Sequence, residues 1–222
     1  FSQDLPPGRG EELRVTDQLD AVTERGADVA VLCTTSRFDK AAPVLKQLIS
    51  HKLSVVSSCE QMTWPWYQHS ALADQIDAEA KSRNVALLGT GVNPGFVMAT
   101  LPVVLSTMFR RVSGMRCVRR VDASLRRQPL QAKVGATKSR DQFMTMVREG
   151  KLGHMGLPES VAMLAAGLGR QVEPGSIREV IEPVVVNSAI KSAVGLIEPG
   201  FVSGLHQVAQ WMGDGLRIEL DL

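Results

Sequence analysis

The chain has 222 residues, of which 44% are hydrophobic and 22% are charged, a makeup that suits one large globular domain or two small ones. Its formal net charge is +2 and basic and acidic residues are mixed along the sequence, which argues against a nucleic-acid partner. No apolar stretch reaches membrane-spanning length and no signal-peptide pattern opens the chain, so we expect a cytoplasmic protein with no membrane partner.

The N-terminal segment carries little regular structure. Residues 1–10 are rich in Pro and Gly and predict a loop, after which Thr16 or Asp17 can cap a short helix that ends near Arg25. The first residue is Phe1 rather than Met, and the last five residues alternate like a strand, so both ends look like cuts in a longer protein.

The first half of the chain alternates strand and helix patterns. Continuous apolar runs lie at residues 29–33, 53–57 and 85–88. Such runs are typical of parallel strands that are buried on both faces. Helical patterns separate them, at residues 42–49 and 71–83. The order predicts an α/β fold, with part of a Rossmann-type, doubly wound parallel sheet in residues 1–98.

Beyond Pro94 this alternation stops. The pattern predicts a helix over residues 96–109, a strand over 115–123, a helix from Ser139 to Gly150 and a helix from Pro158 to Gly169. The last strand-like segments are residues 177–186, 202–211 and 216–222. Because no helices separate these segments, they predict a mixed or antiparallel sheet in an α+β substrate domain, residues 99–222.

Small polar residues follow each predicted parallel strand. The carboxyl ends of parallel strands share one sheet edge, where free backbone N–H groups bind ligands. Ordinary strand-to-helix turns favour the same residue types, so a purely structural role stays open. Gly91 and Gly95 can let the backbone approach a flat ring, and Asn93 can bind a carboxamide. The candidate cofactor-binding residues are Thr34, Thr35, Ser36, Ser58, Cys59, Glu60, Gly91, Asn93 and Gly95.

The phosphate-binding Gly-x-Gly-x-x-Gly turn of a Rossmann fold is not found in the chain. A first strand-helix-strand unit needs roughly 30 residues, so the loss of that unit would remove the motif. We therefore expect this chain by itself to bind a nicotinamide dinucleotide weakly and to be inactive. The three cysteines, Cys33, Cys59 and Cys117, lack metal-ligand spacing, so we expect no metal and a reducing compartment.

Several motifs together resemble the 2,4-diaminopentanoate dehydrogenase family, a branch of the dihydrodipicolinate-reductase-like proteins. They are Ser58-Cys59-Glu60, Trp64-Pro65-Trp66-Tyr67, the segment 89–96, the segment 121–127 with Pro129, Leu130, Gln131 and Lys133, and the segment from Gly153-His154 to Glu159-Ser160. The resemblance implies an enzyme that uses NAD or NADP to oxidise the CH–NH₂ group of a small-molecule diamino acid, releasing an oxo acid and ammonia.

Lys133 and His154 match that family pattern and are the acid–base candidates, with Asp122 to orient the base or hold the substrate ammonium. A surface role is the competing interpretation for each. Histidine suits the task because its ordinary pKa lies near neutrality, whereas lysine needs burial or a cationic neighbour.

Arginines cluster at the end of the strand predicted over residues 115–123, and a guanidinium group suits a carboxylate. The candidate substrate-binding residues are Arg119, Arg126 and Arg127. Strand alternation places Arg119 and Arg120 on opposite faces, so only one of the two is expected at a given pocket. An exposed or ion-paired role remains the alternative for each arginine.

Two other functions stay open at this stage: a reductase of an imino or unsaturated acid, and a non-catalytic, Rossmann-like ligand-binding protein. Because sheet-rich second domains often dimerise, we also expect a homo-oligomer.

Overall fold

The computed structural model describes residues 15–23 and 26–222, so the predicted loop at residues 1–10 and the predicted helix end at residue 25 lie outside the described residues. The first half contains α1 (Leu19–Thr23), β1 (Val29–Leu32), α2 (Phe38–Ser50), β2 (Ser54–Ser57), α3 (Trp66–Arg83) and β3 (Leu87–Gly89). A short 3-10 turn, Glu60–Thr63, joins β2 to α3.

Three parallel strands in the order β1-β2-β3 form the first sheet, which confirms the predicted α/β fold. Helices α2 and α3 cover one face, where the buried side chains of Leu45, Ile49 and Ile76 meet Val55. Among the described residues the other face is uncovered and leaves Val31 exposed, so the expectation of strands buried on both faces is wrong for this part of the chain.

The region after β3 is less regular than predicted. In place of one helix over residues 96–109, an irregular helical segment (Val92–Thr100) leads into α4 (Leu101–Ser106). Asn93, Pro94 and Gly95 depart from helical dihedral angles, and the φ of Gly95 is +129°, a conformation that favours glycine. The sequence pattern showed the apolar periodicity but not this break.

The second half contains β4 (Gly114–Val118), α5 (Gln128–Lys133), α6 (Arg140–Arg148), α7 (Leu157–Gly167), β5 (Arg178–Val185), β6 (Ile190–Ser192), β7 (Gly195–Ile197), β8 (Val202–Gly213) and β9 (Leu216–Asp221). Four of these strands form a mixed sheet in the order β4-β9-β8-β5, in which only β4 and β9 are parallel. The predicted mixed or antiparallel sheet is therefore confirmed. The short hairpin of β6 and β7 and the helix α5 were not predicted.

Helix α7 packs on the mixed sheet, with Leu157, Val161 and Leu164 against Ile218 and Trp211. Its N-terminus also contacts the Glu60–Thr63 turn and the irregular segment after β3. The loops of the parallel sheet and the start of α7 therefore meet at one junction. The division of the chain at residue 98 into two domains stays a prediction. Within the described part of the chain, no helix is long and apolar enough to cross a membrane.

Candidate active site

Glu60 is the centre of a polar cluster at this junction. Its Oε1 atom accepts hydrogen bonds from Lys133 Nζ at 2.6 Å and from Ser36 Oγ at 3.0 Å. Its Oε2 atom lies 3.8 Å from His154 Nδ1, close enough for electrostatic attraction but too far for a hydrogen bond. The structure thus brings both acid–base candidates, Lys133 and His154, to one carboxylate.

The environment of Glu60 keeps its carboxylate ionised. Burial acts to raise the pKa, but the neighbouring His154 and Lys133 side chains together outweigh burial and lower the pKa of Glu60 to about 2. Since His154 lies beyond hydrogen-bond distance, the short contact with Lys133 is the better-defined stabilising interaction. The lysine amine is thereby held by Glu60.

Unpaired polar atoms gather around the same junction. The side-chain amide of Asn93, the Nδ1 atom of His154 and both carboxyl oxygens of Glu159 are buried and have no hydrogen-bond partner among the described residues. In residues 15–23 and 26–222, the remaining buried side-chain atom without a hydrogen-bond partner is Arg170 Nε. Because buried polar groups are normally satisfied, such a concentration makes this junction the candidate ligand site.

The three predicted loops lie at the carboxyl edge of the parallel sheet. Their alignment is visible in hydrogen bonds from Ser58 N to Leu32 O at 3.2 Å and from Thr90 N to Ser57 O at 2.9 Å. Thr34 and Ser58 are exposed at this edge.

The other predicted cofactor-binding residues differ in how available their side chains are. The hydroxyl of Thr35 accepts a hydrogen bond from Arg37 N, and that of Ser36 is bonded to Glu60. The Cys59 side chain lies in the hydrophobic core, where burial raises the pKa of its thiol. The Asn93 amide has no hydrogen-bond partner among the described residues, so it is available to a ligand. A Cβ on Gly91 would lie 2.9 Å from Pro94 O, so this position favours glycine.

A cavity of about 780 Å³ lies beside this cluster. His154 lines it together with Arg119, Arg126 and Asp122. Burial first, and then the neighbouring charge of Arg126, lowers the pKa of Arg119. In the part of the chain that the structure describes, neither of these two guanidinium groups forms a salt bridge. Arg120 and Lys191 also line the cavity, against the acidic residues Asp122 and Glu182, so basic side chains outnumber acidic ones in the lining.

The strand that carries these arginines is shorter than predicted. It ends at Val118 rather than at residue 123, because the Asp122 carboxylate accepts hydrogen bonds from the backbone N and the hydroxyl of Ser124 and starts a 3-10 turn. Strand alternation therefore no longer applies, and Arg119 and Arg120 both line the cavity, which corrects the expectation of opposite faces. The third candidate, Arg127, is exposed and is not among the lining residues.

The family described as the 2,4-diaminopentanoate dehydrogenase C-terminal domain matches residues 96–221, which is more than half of the chain. The chain belongs to this family. The match includes Asp122, Lys133 and His154, whereas Glu60 and the loops of the parallel sheet lie before it. In this member of the 2,4-diaminopentanoate dehydrogenase family, the cluster therefore joins residues from both sides of the family boundary.

The similarity to known proteins extends beyond the matched domain. The chain is 34% identical over 218 residues to the 2,4-diaminopentanoate dehydrogenase of Acetoanaerobium sticklandii, covering 97% of the chain and 62% of the relative. The solved structure of an amine dehydrogenase from Mycobacterium smegmatis superposes with a TM-score of 0.77 at 25% identity, over 96% of the chain and 64% of that protein. The chain thus spans somewhat less than two thirds of the length of either protein.

Sequence reasoning did not find two features of the site in this 2,4-diaminopentanoate dehydrogenase family member. It assigned Glu60 to the cofactor, although the structure pairs its carboxylate with Lys133, 73 positions away. It also gave no role to Glu159, which is fully buried. A glutamate directly after Pro158, in the first turn of a predicted helix, reads as an ordinary exposed residue, so its burial has no local signal.

Proposed function

We propose that this chain belongs to an NAD- or NADP-dependent amine dehydrogenase that oxidises one CH–NH₂ group of a diamino acid to an imine, which water hydrolyses to an amino-oxo acid and ammonia. The observation that carries the proposal is the Glu60–Lys133–His154 cluster, which lies between the cofactor edge of a parallel sheet and a cavity with unpaired arginines. The names of the two similar proteins support the same reaction class.

The cofactor would lie against the three sheet-edge loops, with Asn93 as the partner of its carboxamide. When bound, the nicotinamide supplies the acceptor for the hydride that leaves the substrate carbon. The chain's own residues have the remaining tasks, which are to hold the amine, to move its proton and to keep the substrate carbon in position.

Glu60 is suited to hold the substrate ammonium, because it is ionised and lies where the two halves of the chain meet. His154 is the better acid–base candidate, since its Nδ1 atom lacks a hydrogen-bond partner among the described residues and its side chain lines the cavity. Lys133, held by Glu60 at 2.6 Å, fixes the carboxylate in place. Asp122, committed to Ser124, shapes the turn that presents the arginines.

Arg119 and Arg126 are suited to bind the carboxylate of the substrate. These two like charges share a cavity and form no salt bridge within the described residues, so they repel one another, and a bound carboxylate would relieve that repulsion. This arrangement favours an amino acid over an amine that lacks a carboxylate. Arg127, being exposed, has a smaller part or none.

Three finer assignments belong to the same proposal. NAD or NADP is the cofactor, the protein is a homo-oligomer, and it works in the cytoplasm. The last assignment rests on three cysteines that are all free in the structure, as is usual in a reducing compartment.

The test uses the protein expressed from the complete gene. We expect reduction of NAD or NADP with 2,4-diaminopentanoate and related diamino acids, followed by absorbance of the reduced cofactor. Arg119→Gln should raise KM for an amino acid roughly 10- to 100-fold, the loss expected for one charge-assisted hydrogen-bond partner, and should hardly change KM for an amine without a carboxylate. Arg127→Gln is the matched control. No oxidation of any amine in the panel would contradict the function, and equal KM effects on both substrate types would contradict the role of Arg119.

A further inference from the structure

Glu159 is a carboxyl group that the proposed reaction does not use. It lies in the first turn of α7, is 0% exposed, and neither of its oxygens has a hydrogen-bond partner among the described residues. Burying an ionised carboxylate without a partner is strongly unfavourable, whereas a protonated acid carries no such charge penalty. The geometry therefore points to an uncharged side chain.

The turn that carries Glu159 is in direct contact with Glu60. A Cβ placed on Gly156, the residue before α7, would lie 2.4 Å from the backbone oxygen of Glu60 and 2.7 Å from Pro94 Cγ. The backbone N–H of Gly156 also points to Glu60 Oε2 at 3.5 Å. His154 precedes Gly156 by only two residues, and the Gln207 side chain on β8 holds its backbone N and O at 2.8 and 2.9 Å. A shift of the turn therefore changes the position of Glu60 relative to His154.

The charged groups that face Glu159 oppose its ionisation. Burial is the largest cause, and the negative charges of Glu179 and Glu60 add to it, so that the pKa of Glu159 rises to about 8. Its own backbone N–H and the Gln61 side-chain amide act in the opposite direction, although that amide accepts a hydrogen bond from Phe38 N at 2.9 Å and donates one to Gln68 Oε1 at 3.2 Å. The Cys59 thiol, also nearby, has a raised pKa and stays neutral.

Two carboxyl groups at one junction thus have opposite charge states. Glu60 is ionised and paired with Lys133, whereas Glu159 is neutral and unpaired. Environments that separate two acids in this way are typical of sites in which each acid has its own task.

We propose that Glu159 is a positioning residue, which in its uncharged form lets the first turn of α7 pack against Glu60 and so holds His154 in place. The inference rests on the proposed function, because it assigns His154 to the reaction. When Glu159 loses its proton, a second buried negative charge lies beside Glu60, and repulsion between the two displaces the turn. Activity is then lost on the alkaline side.

The activity test follows kcat/KM as a function of pH in the protein from the complete gene. The wild type should lose activity above about pH 8, the pKa given by burial of Glu159. Glu159→Ala should lower kcat at least tenfold at pH 7, and Glu159→Gln, a neutral side chain of the same shape, should restore it and move the alkaline loss to higher pH. Glu173→Gln, an exposed glutamate, is the control and should follow the wild type.

A second measurement needs no activity and so separates this inference from the proposed function. The pKa of Glu159 is raised in the folded state from its ordinary value of 4.5 to about 8. The contribution of Glu159 to stability is therefore fully present below pH 4.5 and is lost as the pH rises towards about 8. The urea midpoint of the wild type should therefore fall over this range relative to that of Glu159→Gln. Parallel midpoints, or an alkaline activity loss that is the same in both proteins, would overturn the proposal.

Discussion

Two carboxylates in this molecule are surrounded by basic side chains, yet the hydrogen bonding around the two differs. Asp221, at the end of β9, accepts hydrogen bonds from Arg116 Nη2 at 2.9 Å, Arg120 Nη1 at 2.8 Å and His206 Nε2 at 2.8 Å. The Arg120 contact, with those of His206 and Arg116, holds the pKa of Asp221 well below its usual range against the effect of burial.

The cluster around Glu60 has a similar charge pattern but is incomplete. Lys133 makes a short contact, whereas His154 stops at 3.8 Å, and the buried amide of Asn93 and the carboxyl of Glu159 have no partner within the described residues. A network in which every polar group has a partner stabilises one arrangement of the chain. A network with unpaired polar groups leaves hydrogen bonds that a ligand can form. On this comparison we propose that the Asp221 cluster stabilises the fold and that the Glu60 cluster takes part in the chemistry.

The largest expected effect is on turnover when the charge of Glu60 is removed. Glu60→Gln keeps the size of the side chain but abolishes the site for an ammonium group, so we expect kcat to fall by about 10²–10⁴, the range for loss of a positioned acid–base or electrostatic group. The variant should unfold within about 1 kcal/mol of the wild type, since Lys133 is 39% exposed and water can solvate its charge. Retained turnover would return Glu60 to a structural role.

A smaller effect should follow from a single methyl group at the junction. Gly156→Ala places a Cβ 2.4 Å from the Glu60 carbonyl oxygen. This oxygen belongs to the backbone, so the clash cannot be relieved by a side-chain rotation. We expect a loss of about 1–3 kcal/mol in the free energy of unfolding, as for other overpacked sites, together with a fall in kcat. Gly150→Ala, where nothing lies within 4 Å but φ is +67°, is the control for backbone strain alone. If kcat fell by the same factor in both variants, the contact between residue 156 and Glu60 would not be the cause of the fall.

The parts of this site that the sequence predicted are those formed by residues close together in the chain. The sheet-edge loops were predictable, because an apolar run followed by Ser58 or Asn93 is a local pattern with a fixed structural meaning. The pairing of Glu60 with Lys133 was not, since it joins residues on different elements and no periodicity links them. Arg119 was a candidate substrate-binding residue, but its place beside Arg120 in the cavity lining was not predicted, because β4 ends at Val118 and not at residue 123.

The smallest effect is expected at the Asp221 cluster, in which the carboxylate is fully hydrogen-bonded. Asp221→Asn removes the charge that Arg116, Arg120 and His206 share, and we expect a loss of about 1–2 kcal/mol in unfolding free energy, at the low end for hydrogen bonds to charged groups because these arginines are 61% exposed and screened by water.

The pH dependence of that loss fixes its cause. Because the pKa of Asp221 is lowered in the folded protein, its contribution is present above the ordinary value of 3.8 and disappears as the pH falls below it. The difference in urea midpoint between wild type and Asp221→Asn should therefore be constant near neutrality and should shrink in acid. The value of kcat should change by less than about threefold, because Asp221 itself is not among the residues that line the cavity, although its partners Arg120 and His206 are. A purely structural Asp221 cannot affect the chemical step as long as the variant stays folded. A fall in kcat as large as that of Glu60→Gln would therefore show that the two carboxylates share one function.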